Sequence, residues 1–444
     1  MSSGFDSIRF GKWWRTPAGS GWLLVDRFVR MGLGFILSAV LARMLGPAVY
    51  GTFIYATTLA TLFLPLVSLG LERIVIRDLA RSIDQRPALL GAGGALRFLG
   101  GFLSSTLAIA VAWLLGTGDP RLRLIVAVIA SGNVFMAADV VDWAFQADAR
   151  FRVPVIARLI GFILSTVAKL LLAWKAASIV WLAVAVFGEM AFTGILLLFL
   201  ARKIPGASLG SWLFHRDMAV RLLISSWPLL LAEVAVGIFQ RFDLVILNHF
   251  ANKVEVGYYA VASKLAQASF FLPTIAVQVF SPLAARATDA RAVLALTTRI
   301  MTVLTSAGLA ISVVLCAGSP WLIPLLFGRT YLPSIPLLAI LSWTNVFAFM
   351  GCCHGLYLVT INQQWISLRL TWITALCSLC LNLALIPRWH ATGAAAAAAG
   401  AMGLTTLFGV ALFRESRPLF FLNFRAMAAP FRLLAKYTLK SPAR

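Results

Sequence analysis

The sequence predicts an all-α polytopic membrane protein with about twelve transmembrane helices, and three observations carry this prediction. Of the 444 residues, 61% are hydrophobic and only 12% are charged, with a mean hydropathy of +0.90, whereas a soluble protein carries about 25% charged residues. Apolar runs of roughly 20 residues, the length that crosses a bilayer, recur along the chain. The short segments between these runs hold most of the basic residues.

The apolar runs define twelve predicted spans in order along the chain. The segments between them are short, so no soluble domain is expected to be inserted between spans. The predicted spans are 22–43, 50–72, 91–115, 122–145, 153–174, 178–201, 221–248, 256–281, 295–318, 334–359, 364–386 and 391–413.

The distribution of Lys and Arg predicts the orientation. If the N-terminus is cytoplasmic, segments on that side hold more than three times as many Lys and Arg residues as the alternate segments. Such a bias marks the cytoplasmic side, so both termini are predicted to be cytoplasmic. The first twenty residues include Arg9, Lys12 and Arg15 and lack an apolar core, so no cleavable signal peptide is expected. The tail after Arg414 alternates apolar and basic residues, which predicts an amphipathic helix on the membrane surface.

The net charge of +22 does not indicate nucleic acid, because the basic residues lie in loops between apolar runs rather than in a recognised binding module. No phosphate-binding G-x-x-x-x-G-K-[ST] loop is present. Cys377 and Cys380 share a helical face and could hold a metal or serve as small packing residues. The second interpretation is favoured because no second ligand pair lies nearby in the sequence, so we expect no metal and no cofactor.

Charged residues inside the predicted spans are the strongest functional signal. Each costs about 2.5–3.5 kcal/mol at a helix centre, so the deeper ones must pair or face a polar cavity. Ion pairs between helices can explain individual residues, but the whole set favours a polar path through the bundle. Asp26 and Arg30 are four residues apart and share a helix face, as do Asp139 and Asp142 at a spacing of three. The set comprises Arg27, Arg30, Arg97, Arg158, Lys169, Arg241, Lys264 and Arg369, with Asp26, Glu72, Asp139, Asp142, Glu189, Glu233 and Asp243.

A weak internal repeat relates the two halves of the chain. Tyr50-Gly51 opens the second span and Phe63-Leu64-Pro65 follows within it; Gly257-Tyr258 opens the eighth span and Phe271-Leu272-Pro273 follows. Transporters are often built from two such repeats, and proline kinks suit helices that bend between states.

Several segments, collinear over nearly the whole chain, resemble the polysaccharide-repeat flippases, that is, the O-antigen translocase (Wzx-type) family of the multidrug/oligosaccharidyl-lipid/polysaccharide exporter superfamily. Two positions depart from the family pattern: His390 stands where the family often has glycine, and Gln267 where it often has glutamate. The matching segments are Leu41–Pro47 with Tyr50–Gly51, Leu69–Leu71 with Arg77–Leu79, Asp142–Ala147, Ser226–Pro228, Arg241–Asp243, Val256–Ala260, Leu326–Gly328 with Tyr331, Leu381–Pro387 and Gly393–Ala395.

The resemblance implies a MATE-like fold with two six-helix bundles around a central cavity. On this basis the chain divides into a cytoplasmic N-terminus (1–21), an N-terminal bundle (22–201), a cytoplasmic linker (202–220), a C-terminal bundle (221–413) and a basic cytoplasmic tail (414–444). The implied location is the inner membrane.

The resemblance also implies a substrate, an oligosaccharide on a polyprenyl diphosphate, which the protein would move from the inner to the outer leaflet without catalysing a reaction. A glycan polymerase and other assembly proteins would be possible partners. Because a diphosphate is a concentrated anion, Arg and Lys are its natural partners in a low-dielectric site. We expect the cavity cations to be Arg30, Arg158, Lys169, Arg241 and Lys264. The candidate charge partners or ion-coupling groups are Asp26, Asp142 and Asp243.

Three alternatives remain from the sequence. A multidrug exporter of the same superfamily would bind organic cations and favour a net acidic cavity, whereas the spans hold slightly more bases than acids. A lipid II flippase would usually carry two further helices. A membrane enzyme of glycan assembly, such as a polymerase or ligase, would have a long external loop, which the predicted spans do not leave room for.

Overall fold

The protein is helical throughout the part described by its computed structural model, residues 20–115, 119–285 and 290–438. In these ranges, ten helical stretches are long and apolar enough to cross a membrane. The predicted fold class is therefore confirmed. Nearly all of the predicted N-terminal segment 1–21, residues 439–444 of the predicted tail, and Arg286 lie outside the described residues.

Sixteen α-helices follow one another along the described residues, and short 3-10 segments join several of them. The longest 3-10 segment is Gly132–Ala138, with seven residues. The helices are α1 (Ser20–Thr61), α2 (Leu64–Ser68), α3 (Glu72–Arg81), α4 (Arg86–Leu114), α5 (Pro120–Ser131), α6 (Asp139–Ala147), α7 (Arg152–Trp174), α8 (Ile179–Leu200), α9 (Arg216–Phe250), α10 (Lys253–Ala266), α11 (Phe271–Ala285), α12 (Ala290–Phe327), α13 (Ser334–Leu341), α14 (Thr344–Thr360), α15 (Gln364–Leu407) and α16 (Arg417–Thr438).

Two of the ten apolar stretches are each long enough for two passes, which reconciles ten stretches with twelve predicted spans. These stretches, Val25–Arg81 and Gln364–Leu412, have 57 and 49 residues, whereas one pass needs about 20. Each is broken between two predicted spans. The breaks lie at Gly46 (φ 73°, ψ 168°) in α1 and at His390 (φ 46°, ψ −126°) in α15.

The break at His390 uses a backbone conformation that favours glycine, because the β-carbon of any other residue crowds the backbone at positive φ. His390 is exposed. We expect His390→Gly to raise the apparent unfolding temperature of the purified protein, since a strained residue of this kind costs about 1–3 kcal/mol. His390→Ala is the matched control and should give no comparable gain, because alanine keeps the β-carbon. Equal gains from both variants would contradict the strain argument.

The first compact unit comprises the described residues up to Ser38 together with Phe63–Leu231. Its core contains Trp143, Phe145 and Leu89, which are almost fully buried. Glycines let its backbones approach closely: a β-carbon on Gly100 would overlap the carbonyl oxygen of Leu66. The unit therefore depends on small residues at its helix contacts, as membrane bundles commonly do.

The second compact unit comprises Ala39–Leu62 together with the described residues from Ala232 onward. The end of α1 packs onto α10 through the two glycines of the sequence repeat. A β-carbon on Gly51 would overlap the carbonyl oxygen of Lys253, and one on Gly257 would overlap the carbonyl oxygen of Pro47. The Tyr331 hydroxyl also donates to the carbonyl oxygen of Ala42 at 2.9 Å. These close contacts attach residues 39–62 to the second unit. The predicted bundle boundaries and the 202–220 linker stay a prediction.

The second part of the repeat marks equivalent helix breaks. Helix α1 ends at Thr61 and α2 begins at Leu64, with Pro65 in its first turn. In the other half, α10 ends at Ala266 and α11 begins at Phe271, two residues before Pro273. Proline suits the first turn of a helix because the amide it lacks has no partner there in any case.

The tail after Arg414 forms the predicted helix, but one face of that helix is buried. Leu419 and Asn423 have no exposed surface and Ala426 has 2%. Leu419 and Ala426 belong to apolar clusters of the second unit. This face therefore packs against protein, where its asparagine makes hydrogen bonds, and the location of the helix on the membrane surface stays a prediction. Its cytoplasmic location stays a prediction.

Candidate functional site

A charged cavity of about 350 Å³ lies inside the first unit. Its wall combines helices α1, α3, α4, α6, α7 and α8 with the 3-10 segment Gly132–Ala138. Three arginines and four carboxylates line it: Arg30, Arg97, Arg158, Glu72, Asp139, Asp142 and Glu189. Three predicted site residues, Arg30, Asp142 and Arg158, are thus brought together here. Two more approach it through their partners, since Asp26 pairs with Arg30 and Lys169 pairs with Glu189.

The cations of this cavity are neutralised in pairs. Arg30 Nε donates to Asp26 Oδ1 at 2.9 Å, as the spacing of four residues predicts. Arg158 contacts Asp142, which is 2% exposed and also accepts a hydrogen bond of 3.0 Å from Gln146. Such pairing removes most of the cost of placing charge in an apolar span.

Lys169 is also neutralised. Its ammonium donates to Glu189 Oε2 at 3.0 Å, and the lysine residue is 7% exposed. The pair joins α7 to α8. Arg30, Arg158 and Lys169 were all predicted to be cavity cations for an anionic substrate. In this structure each has a carboxylate partner, so an anion would have to displace that partner to bind.

Arg97 holds the 3-10 segment in place. Its guanidinium donates to the carbonyl oxygen of Met136 at 2.7 Å and 3.1 Å and to Asp139 Oδ2 at 2.8 Å. It also lies 4.7 Å from the centre of the Trp143 ring. Because 3-10 runs longer than three or four residues are uncommon and have poorer hydrogen-bond geometry, these contacts compensate for a segment that is weak on its own.

The second unit contains a buried carboxylate that is held by hydrogen bonds rather than by a cation. Asp243 is 8% exposed and accepts a hydrogen bond of 2.5 Å from the Tyr259 hydroxyl and one of 2.7 Å from the amide of Leu244. Its neighbour Arg241 donates instead to the Thr61 hydroxyl. The two charges are thus engaged with different partners, because side chains two residues apart lie on different faces of a helix.

Arg241 and Lys264 differ from the cations of the first unit. Within the described residues, no carboxylate lies within 4 Å of either side chain. Arg241 is half-buried and Lys264 is exposed on α10. Both lie in apolar stretches long enough to span a membrane. They are therefore the predicted cations that can accept an external anion without first breaking an ion pair.

The sequence identified all eight candidate residues by charge, but among their ion pairs it could foresee only that of Asp26 with Arg30. It passed over Arg97, Asp139, Glu189 and Tyr259 as candidates. The first three were visible as charges inside spans. Tyr259 carried no signal, because a tyrosine in an apolar run is ordinary and only the fold places its hydroxyl on Asp243.

The arrangement is that of a multi-pass membrane protein whose fold is shared with transporters. The chain is similar to an inward-facing multidrug resistance MATE family transporter of the MOP superfamily, with 12% identity and a TM-score of 0.67 over 93% of this chain and 96% of that one. It is also similar to the lipid II flippase MurJ in an inward closed conformation, with 14% identity and a TM-score of 0.71 over 95% and 93%. Similarity at these identities establishes the fold alone. No curated protein sequence matches the chain.

The sequence itself then defines the family. Residues 17–288, more than half of the chain, match the family described as polysaccharide biosynthesis protein. The chain belongs to this family.

Proposed function

We propose that the protein is a flippase that moves polyprenyl-diphosphate-linked oligosaccharide repeat units across the inner membrane for surface polysaccharide synthesis, whether O-antigen, capsule or exopolysaccharide. It acts as a transporter and not as an enzyme. Arg241 and Lys264 carry the proposal, since they are two cations in apolar spans without a carboxylate partner within 4 Å among the described residues. A diphosphate supplies the missing negative charge.

Family membership supports this substrate class, because the family is one of polysaccharide biosynthesis. The fold supports transport, because one protein of similar fold is a lipid II flippase. Electrostatics supports Arg241 and Lys264 as the groups that bind the diphosphate. Two opposite unit charges 4 Å apart attract by about 4 kcal/mol near a protein surface, and more where water is excluded.

In the proposed mechanism the protein alternates between states open to the two sides of the membrane. The diphosphate binds to the free cations of the second unit, and the polyprenyl chain stays in the lipid. The paired charges of the first unit supply groups whose ion pairs can rearrange as the state changes. An ion gradient or the membrane potential drives the cycle, and Asp26, Asp142 and Asp243 are the candidate coupling groups.

A multidrug exporter is the second candidate, favoured by similarity to the MATE fold and by the four carboxylates of the first cavity. Three of these carboxylates already have cationic partners: Asp139 with Arg97, Asp142 with Arg158 and Glu189 with Lys169. Glu72 is the remaining one and is exposed. A cavity so neutralised has little charge left to attract an organic cation.

Reconstitution into vesicles tests the proposal. The purified protein is placed in liposomes with polyprenyl-diphosphate-linked oligosaccharide from the same pathway, and a glycosidase added outside reports how much sugar reaches the outer leaflet. We expect exposure of the inner pool to be at least tenfold faster than in protein-free liposomes. Liposomes loaded with a fluorescent organic cation form the second arm. Cation export without sugar exposure would reject the flippase and favour the exporter.

A further inference from the structure

A second cavity, of about 200 Å³, lies wholly within the second unit. Helices α9, α14 and α15 line it, with Phe239 and Phe347 among its walls and His354, Thr405 and Thr406 among its buried residues. The lining contains no Asp, Glu, Lys or Arg. The cavity is therefore uncharged and mainly apolar, with a few polar side chains in its wall, and the function proposed above makes no use of it.

Three threonine hydroxyls at this cavity already donate hydrogen bonds to other groups of the protein. The Thr371 hydroxyl donates to the carbonyl oxygen of Ser367 at 2.9 Å, and the Thr405 hydroxyl donates to the carbonyl oxygen of Ala401 at 2.8 Å. The Thr374 hydroxyl lies 2.9 Å both from its own helix carbonyl and from the Thr405 hydroxyl. Since a hydroxyl has one proton and two lone pairs, these side chains offer acceptor oxygens to whatever enters.

His354 adds a polar side chain to the wall of the cavity. Asn423 donates its amide protons to the carbonyl oxygen of Thr406 at 2.9 Å, so the Asn423 side-chain oxygen is free to accept from His354 Nε2 at 2.9 Å. This network makes Nε2 the hydrogen-bond donor of the imidazole. The histidine is 5% exposed.

Among the threonines that line the cavity, Thr406 is the one whose hydroxyl has no hydrogen-bond partner among the described residues. The residue is 8% exposed, yet its hydroxyl makes no hydrogen bond to any residue that the structure describes. The hydroxyl oxygen is not sealed off from the cavity, so a ligand can reach it and form a hydrogen bond with it. A ligand in this cavity would supply that partner.

We infer that this cavity is a subsite for one neutral sugar ring of the lipid-linked oligosaccharide, an inference that rests on the proposed function. A sugar ring brings several hydroxyl donors, which match the acceptors of Thr371, Thr374 and Thr405. Its apolar faces match the rings of Phe239 and Phe347. The volume lies below the roughly 300–1,000 Å³ of drug-sized ligand sites, so the cavity takes one ring and not a chain. A cation is the poorer fit, since hard cations are usually held by carboxylates.

Two glycines provide a way to close the cavity without breaking the fold. Gly351 and Gly355 lie one turn apart on α14 and line the cavity, and a β-carbon on either would have no neighbour within 4 Å. Gly355→Val therefore fills the subsite. Gly32→Val is the matched control, because Gly32 is a helical glycine with equally open surroundings that lines neither described cavity. Thr406→Val removes the unsatisfied hydroxyl and leaves the shape unchanged.

The test is thermal unfolding of the full purified chain in detergent, titrated separately with glucose, galactose, mannose, N-acetylglucosamine and sodium chloride, with choline chloride as the ionic-strength control. At least one sugar is expected to raise the unfolding temperature of the wild type and of Gly32→Val. The same sugar should have no effect on Gly355→Val, and its apparent affinity should fall about tenfold in Thr406→Val.

Three outcomes overturn the inference: no sugar stabilises the wild type, the sugar effect survives in Gly355→Val, or sodium chloride alone stabilises the wild type and this effect is lost in Gly355→Val. The vesicle assay separates this inference from the proposed function. Sugar exposure in vesicles without any sugar-dependent stabilisation rejects the subsite and leaves the flippase standing. Stabilisation by a sugar without exposure in vesicles rejects the flippase and keeps the subsite.

Discussion

Replacing Arg241 and Lys264 together with glutamine is expected to abolish surface polysaccharide while the protein stays in the membrane. Each side chain lies in an apolar stretch without a carboxylate within 4 Å among the described residues. A single cation opposite a diphosphate contributes about 4 kcal/mol at 4 Å with an effective dielectric constant of 20. Losing two would weaken substrate binding by several powers of ten.

The measurement is complementation of a strain that lacks the gene, with polysaccharide quantified at the cell surface and the protein quantified in the membrane fraction. Arg150→Gln with Lys175→Gln is the matched control, because both residues are exposed between spans and the change in charge is the same. Lys264→Arg keeps the charge and should retain most of the activity. Normal polysaccharide in the Arg241/Lys264 double variant would reject these residues as the anion site.

Replacing Asp142 with asparagine is expected to destabilise the first unit strongly. Asp142 is 2% exposed and contacts Arg158, so the variant leaves a largely buried guanidinium without its counter-charge. Breaking one side of a buried ion pair costs about 3–5 kcal/mol. The loss should appear as a lower unfolding temperature and a shorter half-life in detergent.

A double-mutant cycle separates the stability contributed by the Asp142–Arg158 ion pair from the effect of losing either side chain alone. The variant Asp142→Asn with Arg158→Gln removes both charges and should recover most of the stability lost in Asp142→Asn, because no charge is left unpaired. The control is Asp78→Asn, whose partners Arg77 and Arg221 have side chains that are 53% and 52% exposed, and for which we expect a loss of at most about 1 kcal/mol. An Asp142→Asn protein as stable as the wild type would contradict the structural role and favour a coupling role for this carboxylate.

Local patterns in the sequence were enough to predict the membrane fold and its twelve spans. Hydropathy is summed over neighbouring residues, and the cost of exposing apolar surface to water does not depend on tertiary detail. The breaks at Gly46 and His390 lie between predicted spans. The ion pair of Asp26 with Arg30 was predictable too, because both residues lie on one helix and a spacing of four fixes their proximity.

The partners of the other charges were not predictable in this way. Arg97 meets Asp139 across 42 positions, and Lys169 meets Glu189 across 20. Such contacts depend on how each helix is rotated and how closely its backbone approaches the next, which glycines such as Gly51 and Gly100 control through packing and not through hydropathy.

The sequence by itself determined that the chain is a helical membrane protein with charges inside its spans, since the preference of apolar runs for lipid is a local property. Apart from the pair of Asp26 with Arg30, the tertiary structure alone decided which of those charges are neutralised. It paired Arg158 and Lys169 with carboxylates and left Arg241 and Lys264 with none within 4 Å among the described residues. The reason is that electrostatic attraction acts over a few ångströms in space, and only the packed helices set those distances.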